Sequence, residues 1–184
     1  MSNLKALVDG FRKQAYKRVQ RNDYSYKQTD DFTTSELERL LEKYLAKIEE
    51  DQEARLIRDA MERHIRRYHE YSVEGKIGGH YRQLGVDEDN CIFEHIMPVN
   101  TIVAMLIEGR LTITQALNTP TCLINKQDDV LLRESGLNST SPDNWYFFRR
   151  YKVLTSKFKT YNGQPIVDPD NFTLQDHFDL FGIV

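Results

Sequence analysis

The chain has 184 residues, of which 40% are hydrophobic and 29% are charged, and its formal net charge is −3. This length and composition exclude a disordered chain and allow an ordinary domain with a well-filled core. The charge is too evenly balanced for a protein that coats duplex nucleic acid, so any such contact must come from local basic patches.

The first 74 residues carry the apolar spacing of helices. The periodicity predicts helices over residues 4–21 and 35–48, the second capped by Thr34, and a third from about residue 52 to Tyr71. Their dense, mixed charge is typical of solvated helix surfaces. Residues 1–74 are therefore expected to form a helical region that packs on the rest of the protein and offers faces to a protein partner.

Residues 75–90 differ from both neighbouring segments. They contain four glycines and end in the acidic run Asp87-Glu88-Asp89. Glycines and clustered acids are typical of connections between structured segments. We therefore expect a connector over 75–90, followed by a second module over 91–184.

The second module alternates short apolar runs with helical patterns. We expect strands over 92–96 and 121–124, and helices over 99–108, after Thr112, over 126–134 and after Thr173. Residues 145–158 fit a helix better than a strand. The predicted fold class is mainly helical α+β, in which the N-terminal helices pack on a small module with one short β pair followed by a helix.

The segment Cys91-Ile92-Phe93-Glu94-His95-Ile96-Met97-Pro98 suggests a particular chemistry. A β-favouring run delivers a carboxylate and an imidazole together at its end, and a proline then stops the run. A carboxylate is a hard ligand for Mg²⁺, and a neutral imidazole accepts a proton from water near pH 7. Glu94 and His95 are therefore the leading candidates for a metal ligand and a general base.

Three later residues could join this pair. Asn125 stands between the second predicted strand and its helix, and Asp128 and Asp129 occupy the first turn of that helix. One of the two aspartates must face inward, and the sequence does not say which. Together these groups could hold one divalent cation while His95 activates a water molecule.

Residues 91–135 resemble the HNH, or ββα-metal, nucleases. Their first motif, an acidic residue followed by His and often by Pro, stands here as Glu94-His95-Ile96-Met97-Pro98. The resemblance implies that His95 is the general base, that Glu94 binds the metal, that Asn125 supports the site and that Asp128 or Asp129 completes it. It implies hydrolysis of a nucleic-acid phosphodiester with Mg²⁺, or Mn²⁺, by an active nuclease or a degenerate descendant. DNA is favoured over RNA as the nucleic-acid partner, and the sequence does not decide between them.

A second run combines aromatic and basic residues. Aromatic rings stack on bases and arginine pairs with phosphate, so we expect nucleic acid to contact Trp145, Arg149, Arg150 and Lys152.

Structural roles would explain most of these residues as well. His95 could be a hydrogen-bonded histidine at a strand end, and Asn125 a helix cap. The residues of the aromatic run could belong to the core, and His177 is expected at the surface. If these roles hold, the function is that of a non-enzymatic regulatory protein that binds a partner through its N-terminal helices.

The sequence also bears on where the protein resides. Cys91 and Cys122 lie in apolar segments, as reduced and buried thiols do. No apolar run is near the roughly 20 residues needed to cross a bilayer. We therefore expect a soluble, cytoplasmic protein that has no membrane partner.

Overall fold

The computed structural model describes residues 17–18, 31–47, 49–72 and 79–184. The α-helices are α1 Asp31–Leu45, α2 Gln52–Glu70, α3 Val99–Ile107, α4 Ile113–Leu117, α5 Lys126–Glu134 and α6 Leu174–Phe181, and 3₁₀ turns span Glu88–Asn90 and Phe147–Val153. The strands are β1 Lys17–Arg18, β2 Tyr71–Ser72, β3 Tyr81–Gln83, β4 Cys91–His95, β5 Thr121–Asn125 and β6 Phe158–Thr160. The fold is therefore α+β and mainly helical, as the sequence predicts.

The main sheet has four strands in the order β4-β5-β3-β6. β4 is antiparallel to β5, β5 is parallel to β3, and β3 is antiparallel to β6. The expectation of one short β pair is thus wrong, although the pair itself, β4 with β5, is present. β3 and β6 have three residues each, which is too short for a periodic apolar pattern to reveal them.

The strand pair and the helix after it form a ββα unit. The predicted strand ends and the bounds of α5 agree with the structure within one residue. α3 and α4 fill the connection between the two strands, and a capping box at Thr112 with Gln115 begins α4. Pro98 stands immediately before α3, where its fixed φ suits a helix start. This connection brings β5 back beside β4 in the opposite direction.

One buried cluster joins the N-terminal helices to the second module. It contains Leu37 and Met61 from α1 and α2, and Ile96, Ile102 and Phe148 from the module. The segment predicted as a connector contributes as well, because it contains β3, which lies between β5 and β6 in the sheet. Tyr81 of β3 is fully buried. The described part of this segment, residues 79–90, therefore contributes a strand to the main sheet and a side chain to the core.

Gly79 allows the chain to enter β3 alongside β5. A Cβ atom at this position would lie 3.0 Å from the Tyr81 carbonyl oxygen and 3.2 Å from the Leu123 nitrogen. Both neighbours are backbone atoms that cannot move aside cheaply. A side chain at position 79 would therefore push β3 away from β5, which explains one of the glycines in this segment.

Other expectations have mixed outcomes. Most of residues 4–21 lie outside the described residues, but Lys17 and Arg18 form β1, which pairs with β2, so a helix does not run through them. Residues 145–158 form a 3₁₀ turn that ends before β6 instead of one long helix. Cys91 and Cys122 are free and buried. In the described part of the chain, no helix is both long and apolar enough to span a membrane.

Candidate active-site cleft

The C-terminal end of β4 opens into a cleft of about 530 Å³. Strand β4, helix α2, the start of α3, helix α5 and the loop after α5 all contribute to its walls. The residues that line it are Glu62, Arg66, Ile92, Phe93, Glu94, His95, Pro98, Val99, Asn100, Asp129, Asn138 and Ser139. The cleft therefore contains Glu94, His95 and one of the two candidate aspartates.

Arg150 anchors the wall of the cleft that carries Glu94. Its side chain is 1% exposed and forms an ion pair with the carboxylate of Glu94. It also donates to four backbone carbonyl oxygens at 2.7–3.0 Å, those of His95, Ile96, Leu137 and Asn138. These five bonds tie the end of β4 to the loop after α5, so one guanidinium shapes two walls.

The Glu94 carboxyl has a raised pKa. Burial is the main cause, Arg150 opposes it, and the negative charge of Asp129 adds to it. Glu94 and Asp129 both line the cleft. Such a pair can share a positive charge placed between them.

His95 carries a buried ring nitrogen that lacks a hydrogen-bond partner, Nε2. The ring packs against His69 of α2, with 4.9 Å between centroids, and against Phe93 at 5.5 Å. Burial lowers the pKa of His95 well below its usual value, and the charges of His69, Arg66 and Arg150 lower it further. The imidazole is therefore neutral at pH 7, and its Nε2 is free of hydrogen bonds to the described residues.

Asp128 and Asp129 have different surroundings. Asp129 lines the cleft and forms an ion pair with Arg133, one turn later on α5, at 2.7 Å. Asp128 accepts a hydrogen bond from Gln83 of β3, away from the cleft. Of the two alternatives left open by the sequence, Asp129 is the residue near Glu94, and Asp128 belongs to the packing of α5 on the sheet.

Asn125 lies far from His95. In the antiparallel register, Asn125 pairs with Cys91 at the start of β4, whereas His95 pairs with Thr121. Four residues of strand separate the two positions, a distance of ~13 Å. The Asn125 side chain accepts from the backbone nitrogen of Asp87 and makes no cap bond to α5. This placement gives Asn125 a role in holding the 87–90 turn and argues against a catalytic one.

The donors in the cleft suit a divalent cation that is shared with a substrate. Among the residues that the structure describes, no group of three His, Cys, Asp or Glu side chains could hold a metal ion alone. Mg²⁺, however, is commonly bound by one or two carboxylates, with water and substrate phosphate completing its shell. Glu94 and Asp129 are the two carboxylates that could bind Mg²⁺ or Mn²⁺ in this form, and each also has an arginine partner, Arg150 for Glu94 and Arg133 for Asp129.

The predicted nucleic-acid contacts lie outside the cleft. Trp145 is 47% exposed. Arg149 pairs with Asp143 at 3.1 Å and stacks on Tyr146, and Lys152 lies 3.4 Å from Asp170.

The placement of Arg150 contradicts the expectation that this residue contacts nucleic acid. It is buried, and each of its nitrogens already donates inside the protein. An arginine in this state has no donor to offer a phosphate.

The sequence does not predict the burial of three histidines, His69, His80 and His177. His177, expected at the surface, is fully buried, where it bonds the Tyr81 hydroxyl and the Asn118 carbonyl oxygen at 2.8 Å each. His80 bonds Thr121, and His69 bonds the Leu117 carbonyl oxygen. All three hold the segment before β5 in place. The apolar spacing of Leu174 and Phe178 around His177 was the available signal for its burial.

Comparison with models of protein families, with curated proteins and with solved structures found no match. The function therefore has to be inferred from the chemistry of the cleft.

Proposed function

We propose that this protein is an HNH-like endonuclease, which hydrolyses a nucleic-acid phosphodiester in the cleft at the end of β4. The observation that carries the proposal is that His95, whose buried Nε2 has no hydrogen-bond partner, lines a cleft that Glu94 and Asp129 also line. A neutral imidazole beside two carboxylates is the donor set that metal-assisted hydrolysis needs. The antiparallel strand pair followed by α5 supports the proposal, because it is the arrangement that the resemblance implies.

In the proposed reaction, His95 accepts a proton from a water molecule. The oxygen of that water forms a bond to phosphorus, the bond from phosphorus to the leaving oxygen breaks, and the leaving oxygen takes a proton from solvent. Glu94 and Asp129 would hold a divalent cation, which when bound supplies positive charge to the phosphate and the leaving oxygen. Arg150 keeps Glu94 and the backbone of His95 in place during these steps.

The first substrate to test is DNA. Supercoiled plasmid is incubated with Mg²⁺ or Mn²⁺ and with the wild-type protein, His95→Ala or the control His64→Ala, which changes a histidine on α2 outside the cleft. We expect metal-dependent nicking that EDTA abolishes. A general base contributes about 100-fold or more, so His95→Ala should lose activity by at least that factor, and His64→Ala should not.

Absence of cleavage with either metal, together with no rise in melting temperature when metal is added, would refute the proposal. That result would favour the alternative, a non-enzymatic protein that binds a partner through its helices. Leu45 of α1 and Leu56 of α2 are 60% and 57% exposed. Substitution of these two leucines would then be the next experiment.

A further inference from the structure

Arg66 is the basic residue among those that line the cleft in the described part of the chain. It lies on α2 one turn before His69, and residues three apart occupy the same face of a helix. The ring of His69 packs on the ring of His95, with 4.9 Å between centroids. The same face of α2 therefore presents Arg66 to the cleft beside the His95 imidazole.

The guanidinium of Arg66 has capacity for a ligand. Its side chain is 50% exposed, and its ion pair with Glu62 is long, at 3.8 Å, which is beyond hydrogen-bond distance. The neighbouring arginines differ, since Arg150 is fully used by the fold and Arg133 donates to Asp129 at 2.7 Å. Arg66 is thus the cation of this site that can reorient toward a bound molecule.

Within the cleft, the charges favour an anion only beside Arg66. Glu62, Glu94 and Asp129 make most of the lining acidic, so a phosphate needs either a cation between the acids or a basic side chain opposite them. The arginine fork matches two oxygens of one phosphate group. Asn138 and Ser139 also line the cleft and add neutral polar groups suited to the sugar–phosphate backbone.

We infer that Arg66 binds the non-bridging oxygens of a backbone phosphate and so holds the phosphorus in front of His95. The inference rests on the proposed function, because it names the residue that holds the substrate of that same cleft. It replaces Arg150 in that role. It also assigns to α2, which lies outside the ββα unit, a direct part in binding the substrate.

The experiment measures binding separately from cleavage. Fluorescein-labelled duplex DNA is titrated in Mg²⁺ with His95→Ala protein and with double variants that add Arg66→Gln, Arg66→Lys or Arg63→Gln. Arg63 is exposed on the same helix but outside the cleft, so its substitution is matched in charge and in helix position. Fluorescence anisotropy gives the Kd, and circular dichroism checks that each variant is folded.

We expect Arg66→Gln to raise the Kd about tenfold or more, because a charge-assisted contact to phosphate is lost. Arg66→Lys should recover part of the affinity, and Arg63→Gln should change the Kd less than twofold. In protein that retains His95 and can therefore cleave, the single substitution Arg66→Gln should raise the KM for DNA. Equal effects of Arg66→Gln and Arg63→Gln would overturn the inference while leaving the endonuclease proposal intact if the wild type cleaves.

If the wild type does not cleave and metal does not raise its melting temperature, the endonuclease proposal fails, and the binding titration still decides the role of Arg66. A selective loss of DNA binding in Arg66→Gln would then support a phosphate site without hydrolysis. No measurable DNA binding by the His95→Ala protein would overturn the inference.

Discussion

At the scale of single residues, Arg150 shows how a side chain expected on the surface can become structural. A fully buried arginine is rare unless it is paired, and this one has a carboxylate and four carbonyl oxygens as partners. The charge is tolerated because every donor is used. The same bonds fix the backbone on which Glu94 and His95 are carried.

Replacement of Arg150 should therefore destabilise the protein strongly. Arg150→Met leaves a buried Glu94 and four carbonyl oxygens without their donor, and loss of one partner of a buried pair costs about 3–5 kcal/mol. The control is its neighbour, Arg149→Met, which removes a partly exposed pair worth about 1 kcal/mol or less. Urea unfolding measures both free energies. Similar losses in the two variants would contradict the structural role of Arg150.

The two aspartates of α5 allow a matched test of the cleft. Asp129→Asn removes a carboxylate from the cleft, so it should lower cleavage and reduce the rise in melting temperature that Mg²⁺ produces. Asp128→Asn removes a bond to Gln83 outside the cleft, so cleavage at a temperature well below unfolding should be unchanged. Plasmid nicking and thermal melts with and without Mg²⁺ give both quantities. Loss of cleavage in Asp128→Asn alone would reverse the assignment.

At the scale of elements, local signals reveal the ββα unit but not the partners of its strands. The apolar runs of β4 and β5, the cap at Thr112 and the glycine after α5, Gly136, are all local features that act within a few residues. β3 has no such signal, because three residues between glycines cannot show a period. Its place between β5 and β6 depends on packing with distant parts of the chain.

In the candidate site, too, only the features that depend on local sequence could be predicted. Glu94 and His95 could be placed together because they end one strand, and the acid of α5 that lines the same cleft could be limited to Asp128 or Asp129. The position of Asn125 relative to His95 could not be predicted, because the strand pair is antiparallel and the end of β5 lies beside the start of β4. The presence of Arg66 in the cleft could not be predicted from local pattern, since it depends on how α2 lies beside the end of β4, and its sequence context is a charged helix face like any other.

At the scale of the whole molecule, buried histidines link the packing to pH. His80 and His177 are fully buried, their rings lie 4.9 Å apart, and they hold the segment between α4 and β5 from two sides. Burial lowers the pKa of His177 to about 3, against a hydrogen bond to Asn118 that raises it, and the charge of His69 lowers it further. Burial also lowers the pKa of His80 well below its usual value, and the charges of His177 and His69 add to that shift. Both residues are neutral in the native protein.

The native protein should therefore lose stability as the pH falls below about 6.5. In the unfolded chain both histidines titrate near pH 6.5, whereas the folded protein takes up these protons only at a much lower pH. Between those values the unfolded state binds more protons, and stability falls by up to about 1.4 kcal/mol per pH unit for each histidine. In the cleft, the pKa of Glu94 is raised and that of His95 is lowered, so their effects on the pH dependence of stability have opposite signs and partly cancel.

Urea unfolding at pH 7.5 and pH 5.0 tests this dependence. Most carboxyl groups titrate below this window, so the difference reports mainly on the buried histidines, and we expect a loss of about 2 kcal/mol for each of the two. NMR titration of the native protein supplies an independent check, because the His177 ring signals should not move between pH 7.5 and pH 5.0. Equal free energies of unfolding at the two pH values, or an NMR titration midpoint near pH 6.5 for His177, would contradict this prediction. Either result would show that His80 and His177 are protonated in the folded protein as readily as in the unfolded chain.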